Sequence, residues 1–498
     1  MRPCLAVVVP LLGGCSFIYN PDHINKDIDA KVVDTEHVVD VNPAGLTLTY
    51  AYPAVVYEGV GTGGSRPAVV AIRGEEIAPS ATVTVVPMTG APTQIALNEF
   101  KVADDHRWIA LSITVPVDET QDETGTHATA AVPLAITVDN GMGYTASLPM
   151  DALKLQWLDQ LKTPITAPPP LGKLYSIVNV GSAIAFTPDA TAHRVAITSE
   201  SSITINGGIT ANGAATNPGP GGCAGGAANG SGPATNADGV MCIGNGGAAS
   251  GILAAGGGGA GYATTGMAGG GSVGGGPGAM VGDPQISSYA TNVAGGGGGG
   301  SPTTVLGGSP GGGGGGTVEL TAAGDIHITS TGAAIAALGG PQTGGGGGAG
   351  GTILVRSGGM LDIAKPLDVS PVNGSGNGGP ASAGRARFDA AKGGAPNGYQ
   401  GPMIQTIPYF STTQLTSDSA ILVAGQAGNS SDFKGLVYDK DGSPVSNFDL
   451  LFGQSVAKPS VMLKPGYNRV CVLVPGGNIL TTPESGNCAE IAFLPTGN

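Results

Sequence analysis

The chain has 498 residues, and its 35 acidic and 21 basic side chains give a formal net charge of −14. A chain of this length is expected to hold two to four domains. Nucleic acid is excluded as a partner, because phosphate binding needs clustered Lys and Arg and this sequence has no such cluster.

The first residues have the pattern of an exported lipoprotein. Arg2 precedes an apolar run over 5–12, and the run leads into Gly13-Gly14-Cys15. This stretch resembles the signal peptide and lipobox of bacterial lipoproteins, with Gly13 where the motif more often has Ala or Ser. The alternative is an N-terminus that is not cleaved. No segment approaches the ~20 apolar residues that a spanning helix needs, so lipid would be the anchor.

The lipoprotein resemblance has three implications. Residues 1–14 would be removed as a signal peptide, and Cys15 would carry the lipid that binds the membrane. Ser16 after the cysteine implies sorting to the outer membrane, facing the periplasm or the cell exterior. Residues 15–44, which are acidic, would then form a tether.

The remaining cysteines fall into two local pairs. Once Cys4 leaves with the signal and Cys15 is acylated, an even number is left, and in an exported chain this predicts disulfides. The predicted pairs are Cys223 with Cys242 and Cys471 with Cys488. A zinc site is the rival interpretation, but no histidine lies near either pair.

Residues 45–148 are predicted to form a β-sandwich. Short apolar or alternating segments are separated by turn signals such as Gly61–Gly64 and Asp139-Asn140-Gly141, and they lie at 46–50, 69–72, 83–85, 109–115 and 134–138. Tyr52-Pro53 through Glu58-Gly59, followed by 70–74, resembles the opening of an IPT/TIG-type immunoglobulin-like domain. Such domains are more often spacers or adhesive modules than catalysts.

Residues 149–172 are predicted to be a linker. Residues 163–171 contain four prolines, which predict a stiff, extended chain. Before them, Leu153–Trp157 alternates as a strand does, but Trp157, Leu158 and Leu161 would also suit one face of a helix, and both interpretations stay open.

Residues 173–400 are predicted to be a glycine-rich β-repeat module. Four aliphatic residues recur at offsets 0, +2, +8 and +10 in three copies: Val195, Ile197, Ile203 and Ile205; Val318, Leu320, Ile326 and Ile328; Ile353, Val355, Leu361 and Ile363. Two pairs at period 2 with a gap between them predict two short strands joined by a turn, with one apolar face. We expect these twelve residues to share a buried layer. Thr321, which we place between the strands, is expected to tolerate an Asp.

Most of the 89 glycines lie in the same region, in runs at 256–259, 295–300, 311–316 and 344–348. A flexible linker is one interpretation, but a linker has no reason to keep the aliphatic register. The other is that extended glycine segments in a polyproline-II-like conformation pack closely and exchange backbone hydrogen bonds. In composition the region resembles glycine-rich modules of bacterial surface proteins and, distantly, the glycine-rich domain of certain receptor ectodomains.

Residues 401–498 are predicted to form a small C-terminal β-sandwich that resembles immunoglobulin-like or carboxypeptidase-regulatory-like domains. The predicted strands lie at 420–423, 435–438, 448–452 and 470–474. Asp439-Lys440-Asp441-Gly442 could suggest a calcium loop, but the third carboxylate and the later Glu of such a loop are missing. A hairpin turn with positive φ at Gly442 explains it better.

The whole chain is therefore predicted to be mainly β and multi-domain, without a catalytic, cofactor-binding or metal site. The six histidines lack metal spacing, no Lys-Ser/Thr follows a glycine run, and Asp104-Asp105-His106 is interpreted as a turn. The predicted function is that of a lipid-anchored, non-catalytic structural or adhesive surface protein with a protein or polysaccharide partner. The alternative is a protein that binds or cleaves extracellular polysaccharide, which would need paired carboxylates brought together by folding.

Overall fold

A computed structural model describes residues 42–87, 95–118, 131–228, 230–242, 244–249, 258–261, 263–270, 275–277, 279, 297–298, 309–341, 345–374, 376–393, 405–406, 409–410, 414–419, 423–424, 433–441, 443–450, 456–457, 463–473 and 488–496. The signal peptide, Cys15 and most of the tether lie outside these residues. The protein is mainly β, as predicted, and residues 41–498 form one compact unit. No helix among the described residues has the length and hydropathy to cross a bilayer.

The N-terminal sandwich consists of two sheets. A short 3-10 helix over Pro43–Gly45 precedes strands β1 (Thr47–Tyr52), β2 (Val55–Tyr57), β3 (Ala68–Glu75), β4 (Thr82–Pro87), β5 (Ala96–Val102), β6 (Trp108–Thr114), β7 (Val132–Asp139), β8 (Thr145–Ser147) and β9 (Lys154–Gln156). One sheet has the order β1-β3-β6-β5 and the other β2-β9-β7-β4, with β8 also on β7. The apolar side chains of both sheets share one buried cluster, which includes Ile72, Leu111 and Ile136.

The sandwich extends beyond the predicted boundary at residue 148. Within Leu153–Trp157, residues Lys154–Gln156 form strand β9 and Leu155 is fully buried, so the strand interpretation is correct and the helix is not. The linker prediction for 149–172 is therefore wrong in its first half. Buried Glu58 fixes this segment, because its carboxylate accepts hydrogen bonds from the backbone N–H groups of Asp118 (2.8 Å) and Leu158 (3.3 Å).

The central module is a solenoid of stacked parallel strands. Its elements are β10 (Asp159–Leu161), β11 (Leu174–Val180), β12 (Ile184–Ala185), β13 (Val195–Ser199), β14 (Ile203–Asn206), β15 (Ile209–Thr210), β16 (Thr317–Ala322), β17 (Ile326–Thr329), β18 (Ile335–Ala336), β19 (Thr352–Ile363), β20 (Leu367–Asp368), β21 (Arg385–Gly393) and β22 (Gln405–Thr406). The large sheet has the order β16-β13-β11-β14-β17-β19-β21-β22, and β16 also pairs with β19. The small sheet has the order β12-β15-β18-β20.

The three sequence copies are successive rungs of this solenoid. Val195, Val318 and Ile353 pair in register, as do Ile203, Ile326 and Leu361. All twelve recurring aliphatic residues are buried in one cluster. The prediction for Thr321 was wrong, because this residue belongs to β16, pairs with Arg356 and is itself buried.

Where the structure describes them, the glycine runs pack beside the solenoid as extended segments. Residues 256–257, 295–296, 299–300 and 344 of these runs lie outside the described residues. Residues 311–316 are all buried, and each backbone N–H donates to a neighbouring segment over 2.7–2.9 Å. Successive residues donate to three neighbouring segments in turn. Gly311 and Gly314 donate to Gly226 and Cys223 of the first segment. Gly312 and Gly315 donate to Gly346 and Ala349 of the second, and Gly313 and Gly316 donate to Ala215 and Ala211 of the third. A period of three is that of a polyproline II helix, so the predicted packing is what the structure contains.

We define the glycine bundle as segments 211–216, 223–226, 258–261, 311–316, 337–340, 345–351, 369–374 and 379–384. The segments that lead into β16, β19 and β21 form one layer, and those that leave β15, β18 and β20 form the next. Residues 223–226 and 258–261 cover the first layer from its other side. The glycine segments therefore complete each rung of the solenoid, and their backbone groups are paired with one another.

The C-terminal module adds strands β23 (Tyr409–Phe410), β24 (Leu415–Thr416), β25 (Val423–Ala424), β26 (Phe433–Asp439), β27 (Pro444–Leu450), β28 (Val456–Ala457), β29 (Gly466–Leu473) and β30 (Cys488–Phe493). They form sheets of order β24-β30-β29-β26-β27 and β23-β25-β28. The larger sheet packs on the outer face of β3 and β6, where Ala71, Trp108 and Tyr467 are buried together. Strand β3 is therefore buried on both faces.

Asp439-Lys440-Asp441 lies at a hairpin between β26 and β27, as predicted, while Gly442 lies outside the described residues. The Asp439 side chain accepts from the N–H groups of Asp441 and Ser443, both at 3.0 Å, and lies 3.2 Å from Lys464 Nζ. Burial alone would raise the pKa of Asp439, but these hydrogen bonds outweigh burial and hold the pKa below its ordinary value. The Asp439 carboxylate thus stabilises the hairpin turn.

Candidate functional site

A line of polar side chains crosses the outer surface of the large solenoid sheet. Asn179, Thr204, His327 and Asp362 pair in register on β11, β14, β17 and β19, and their neighbours in each strand point inward to the apolar core. Successive side chains along such a line are about 4.8 Å apart, the spacing of strands in a sheet. We call these four residues, with Asn206 and Thr329 beside them, the polar strip.

Hydrogen-bonding groups of the polar strip are accessible. The side chains of His327 and Asp362 are 39% and 63% exposed, and His327 Nδ1 lies 3.5 Å from Asp362 Oδ2. Asp325 lies on the other side of the ring, with Oδ2 4.0 Å from His327 Nε2. Thr329 Oγ1 donates to Asn206 Oδ1 over 2.8 Å. The strip offers acceptors at each of four consecutive rungs and donors at the first three, because the Asp362 carboxylate on the fourth can only accept.

A second polar group lies near β13 and β16. Glu319 contacts Arg194 Nε at 3.2 Å and Arg356 Nη1 at 3.4 Å. Asp238, whose side chain is almost fully buried, accepts from the backbone N–H of Arg194 and contacts His193 Nδ1 at 2.9 Å. Asp238 belongs to the loop between Cys223 and Cys242, so this network ties that loop to the solenoid.

Both predicted disulfides are present. Cys223 is bonded to Cys242 and Cys471 to Cys488, with Cα atoms 5.9 Å and 4.0 Å apart. The first closes the loop that carries Asp238, and Cys223 O accepts from Gly314 in the glycine bundle. The second joins the neighbouring strands β29 and β30. The first disulfide thus links the inserted loop to the bundle.

Replacing Cys223 and Cys242 together by Ala should loosen the loop that they close. For a loop of about 20 residues, the lost constraint on the unfolded chain is about 3 kcal/mol. Hydrogen exchange should accelerate over 223–247, while the Cys471→Ala/Cys488→Ala variant should leave those amides unchanged. Equal exchange in both variants would contradict this account, and so would a cross-pair such as Cys223 to Cys471 in non-reducing peptide mapping.

The structure brings together acidic residues that are distant in sequence. Asp325 and Asp362 flank His327, and Asp238 and Glu319 both contact Arg194. Asp104-Asp105-His106 forms the predicted turn between β5 and β6, with His106 Nδ1 2.9 Å from Ile77 O. Within the described ranges no three His, Cys, Asp or Glu side chains are arranged to hold a metal ion. His23, His37 and His127 lie outside those ranges.

Glu200 and Glu490 belong to none of the motifs or patterns recognised in the sequence. Glu200 lies in the turn between β13 and β14, and Glu490 lies in β30. Burial, and then the charge of Glu490, raise the pKa of Glu200 to about 7, and Arg469 opposes this shift. No local pattern could have revealed the pair, because its members come from different modules.

Comparison with known proteins finds no matching family model, no matching curated protein and no matching solved structure. The lipoprotein, IPT/TIG and glycine-rich resemblances therefore rest on the sequence motifs that carry them.

Proposed function

We propose that this is a lipid-anchored cell-surface protein with a structural or adhesive role and no catalytic activity. The observation that carries the proposal is the glycine bundle fused to the solenoid, in which buried backbone groups bond to one another in three directions. Such a body has few side chains that could move and presents a fixed outer surface. This suits a protein that spaces or displays a contact surface.

Two further features support an extracellular setting. Disulfides persist in oxidising compartments, and the described part of the chain contains two. The lipobox resemblance at Cys15 supplies an anchor. We assign the N-terminal sandwich to the IPT/TIG type of immunoglobulin-like domain on its sequence resemblance. We assign the C-terminal module to a small immunoglobulin-like sandwich on the same grounds of resemblance.

The anchor can be tested on the protein extracted from membranes. Mass spectrometry should find a diacylated or triacylated N-terminus at Cys15, and the Cys15→Ser variant should move to the soluble fraction. In cell-attachment assays the variant should lose the adhesion that the anchored protein confers. An unmodified Met1 in a soluble wild-type protein would contradict the proposal, and unchanged adhesion by Cys15→Ser would remove its adhesive part.

The polar strip favours a second candidate function, the binding of an extracellular polysaccharide. Sugars are recognised through their hydroxyl groups, and the strip offers donors and acceptors in a straight row across four rungs. The carboxylates of Asp325 and Asp362 would repel an anionic polymer, so the strip suits a neutral or cationic one.

A glycan array with the full chain separates the two candidates. If the strip binds polysaccharide, the His327→Ala/Asp362→Ala variant should lose binding about tenfold or more, since two hydrogen-bonding groups are removed. Asp151→Asn, which removes an exposed carboxylate on the N-terminal sandwich, is the control and should bind as wild type does. Equal binding by all three proteins would refute the strip as the site, and turnover of any polymer would refute the non-catalytic proposal.

A further inference from the structure

The hairpin between β7 and β8 carries an exposed apolar side chain at its tip. The turn is closed by the Tyr144 N–H, which donates to Gly141 O over 3.1 Å. Its two central residues, Met142 and Gly143, have positive φ angles of 54° and 85°. Met142 is 89% exposed and Tyr144 is 42% exposed. A Cβ at Gly141 or Gly143 would meet nothing within 4 Å, so the turn projects into open space. We call residues 142–144 the apolar tip.

Met142 breaks two local rules at once. A turn with positive φ at both central residues is of type I′, and the residues it favours are Gly, Asn and Asp. A Met there strains the backbone, and its exposed side chain adds nothing to the core. Glu76 and His106 also have positive φ, but the side chain of each makes a hydrogen bond within the N-terminal module. The fold does not account for Met142, so we look for a contact outside the chain.

The tether enters the sandwich beside this hairpin. The Asn42 N–H, which follows tether residues 15–41, donates to Glu76 Oε2 over 2.8 Å. At the foot of the hairpin, Asn140 Nδ2 donates to Glu76 O over 2.7 Å, and Asn140 Oδ1 accepts from the Ala78 N–H over 2.9 Å. Asn42 and Asn140 thus both contact Glu76. A chain anchored at Cys15 therefore keeps the end that carries the apolar tip within reach of the bilayer.

The solenoid is attached at the opposite end of the sandwich. Gly63, in the loop that precedes β3, accepts a hydrogen bond at its carbonyl oxygen from the Asp325 N–H over 2.8 Å. Strand β3 then runs for 8 residues from this loop toward Glu76, a length of about 26 Å. The apolar tip can therefore touch a surface without bringing the solenoid onto it.

The end of the sandwich that carries the apolar tip is acidic. It consists of segments 42–46, 75–81, 103–107 and 139–144, which hydrogen bonds join to one another. The acidic residues of these segments are Glu75, Glu76, Asp104, Asp105 and Asp139, and the basic ones are His106 and Arg107. Anionic headgroups would repel such a surface, so a zwitterionic bilayer suits it better.

We propose that the apolar tip enters a zwitterionic lipid bilayer and holds the tethered end of the protein against it. The inference rests on the proposed lipid anchor, to which it adds a second contact that orients the body. Met142 would lie among the acyl chains and Tyr144 at the headgroups, where an aromatic ring with a polar group is favoured. Such a contact is weak alone, but the anchor supplies it at high effective concentration.

Brominated lipids test the apolar tip in the full chain. With Cys4→Ser in place, Cys15 is the one cysteine outside the two disulfides, and it is coupled to a maleimide lipid in phosphatidylcholine vesicles. The anchor is then present whether or not a cell acylates Cys15, so the tip and the lipoprotein proposal fail separately. Tyr144→Trp is the reporter, and bromine on the acyl chains should quench its emission. Trp108 and Trp157 are buried and add the same background to every variant.

Met142→Asn and Met267→Asn, each combined with the reporter, form a matched pair. Asn suits a type I′ turn, so Met142→Asn should leave the hairpin at least as stable as in wild type. It should lower the ratio of inserted to free tip about tenfold or more, because it removes the side chain that the bilayer buries. Met267, which follows segment 258–261 of the glycine bundle, is 61% exposed, and its replacement should leave the quenching unchanged.

Four results would overturn the proposal. The first is a Tyr144→Trp reporter that bromine does not quench, and the second is equal quenching in Met142→Asn and Met267→Asn. The third is stronger quenching in phosphatidylglycerol vesicles, where the acidic end should instead be repelled and the quenching should fall. The fourth is shielding of the reporter from acrylamide without vesicles that rises with protein concentration, which would assign the apolar tip to a second copy of the chain.

Discussion

Replacing Gly348 with Ala should disrupt the glycine bundle. Gly348 is buried between two segments, and a Cβ there would lie less than 3.0 Å from the carbonyl oxygen of Gly313. The Gly313 carbonyl cannot move aside, because its oxygen accepts a hydrogen bond from Gly340 N–H at 2.6 Å. The Gly313 N–H in turn donates to Ala215 O at 2.7 Å and fixes the same residue. We expect a loss of about 4 kcal/mol, beyond the usual 1–3 kcal/mol for overpacking, because backbone rather than side chain opposes the methyl group.

Gly332→Ala is the matched control. Gly332 is exposed, and a Cβ there meets nothing within 4 Å. Its replacement should change stability by no more than about 1 kcal/mol, and the lower entropy of the unfolded chain favours a gain. Hydrogen exchange over 311–316 and at Gly347, Gly348, Gly350 and Gly351 in the full chain reports the bundle directly, because these amides donate to backbone carbonyls of neighbouring segments. If both variants keep the same protection, the bundle is not packed as described.

The recurring aliphatic residues predicted the repeat module because each rung needs apolar side chains at the same inward positions. In the first two copies the inward positions at offsets 0 and +2 form one strand, those at +8 and +10 form the next, and the gap between them is a turn. In the third copy all four positions lie in the single strand β19, so the predicted division into two strands is wrong there. The spacing could not show that the copies pair in parallel, since a hairpin has the same alternation. It also missed the last rung, where Ala386 and Phe388 occupy the inward positions, because an Ala gives no aliphatic signal.

The inserted glycine segments explain why the first two copies lie so far apart. Residues 211–316 separate β15 from β16, yet the strands of these rungs stack directly on one another. The insertion returns to the solenoid through 311–316, and the loop closed by Cys223 and Cys242 is fixed there by Asp238. Sequence predicted that the runs could pack, but not their partners, since identical glycines carry no information about which segment bonds to which.

The contacts between modules could not be predicted from the sequence either. The predicted division into separate sandwiches and a linker assumes that each strand of a sandwich has one buried face. Strand β3 has two, because Ala71 and Val69 lie against the C-terminal sheet while Val70 and Ile72 lie in the sandwich core. A continuous apolar run such as 68–72 is typical of a strand covered on both sides, but it does not identify the covering element.

Ile326→Asp should unfold the solenoid. Ile326 is fully buried in the middle rung, between Ile203 on β14 and Leu361 on β19. A carboxylate at this position would lie between two aliphatic side chains, which offer it neither a hydrogen-bond donor nor a counter-charge. We expect a cost of about 5 kcal/mol, which is enough to separate the rungs on either side. Hydrogen exchange should rise through β13, β14, β16 and β17 together, because each rung is stabilised by its neighbours.

Thr329→Asp is the control for this substitution, and the buried Thr321 is unsuitable for it. Thr329 lies on the same strand as Ile326, three residues further on, but its side chain faces solvent and bonds only to Asn206. Its replacement should cost at most about 1 kcal/mol, the value of that exposed hydrogen bond. The full chain is the proper object for both variants, because β10 and the loop 59–65 pack on the solenoid and an isolated segment would expose those contacts. If Ile326→Asp and Thr329→Asp exchange alike, the recurring aliphatic residues do not form the core that holds the rungs together.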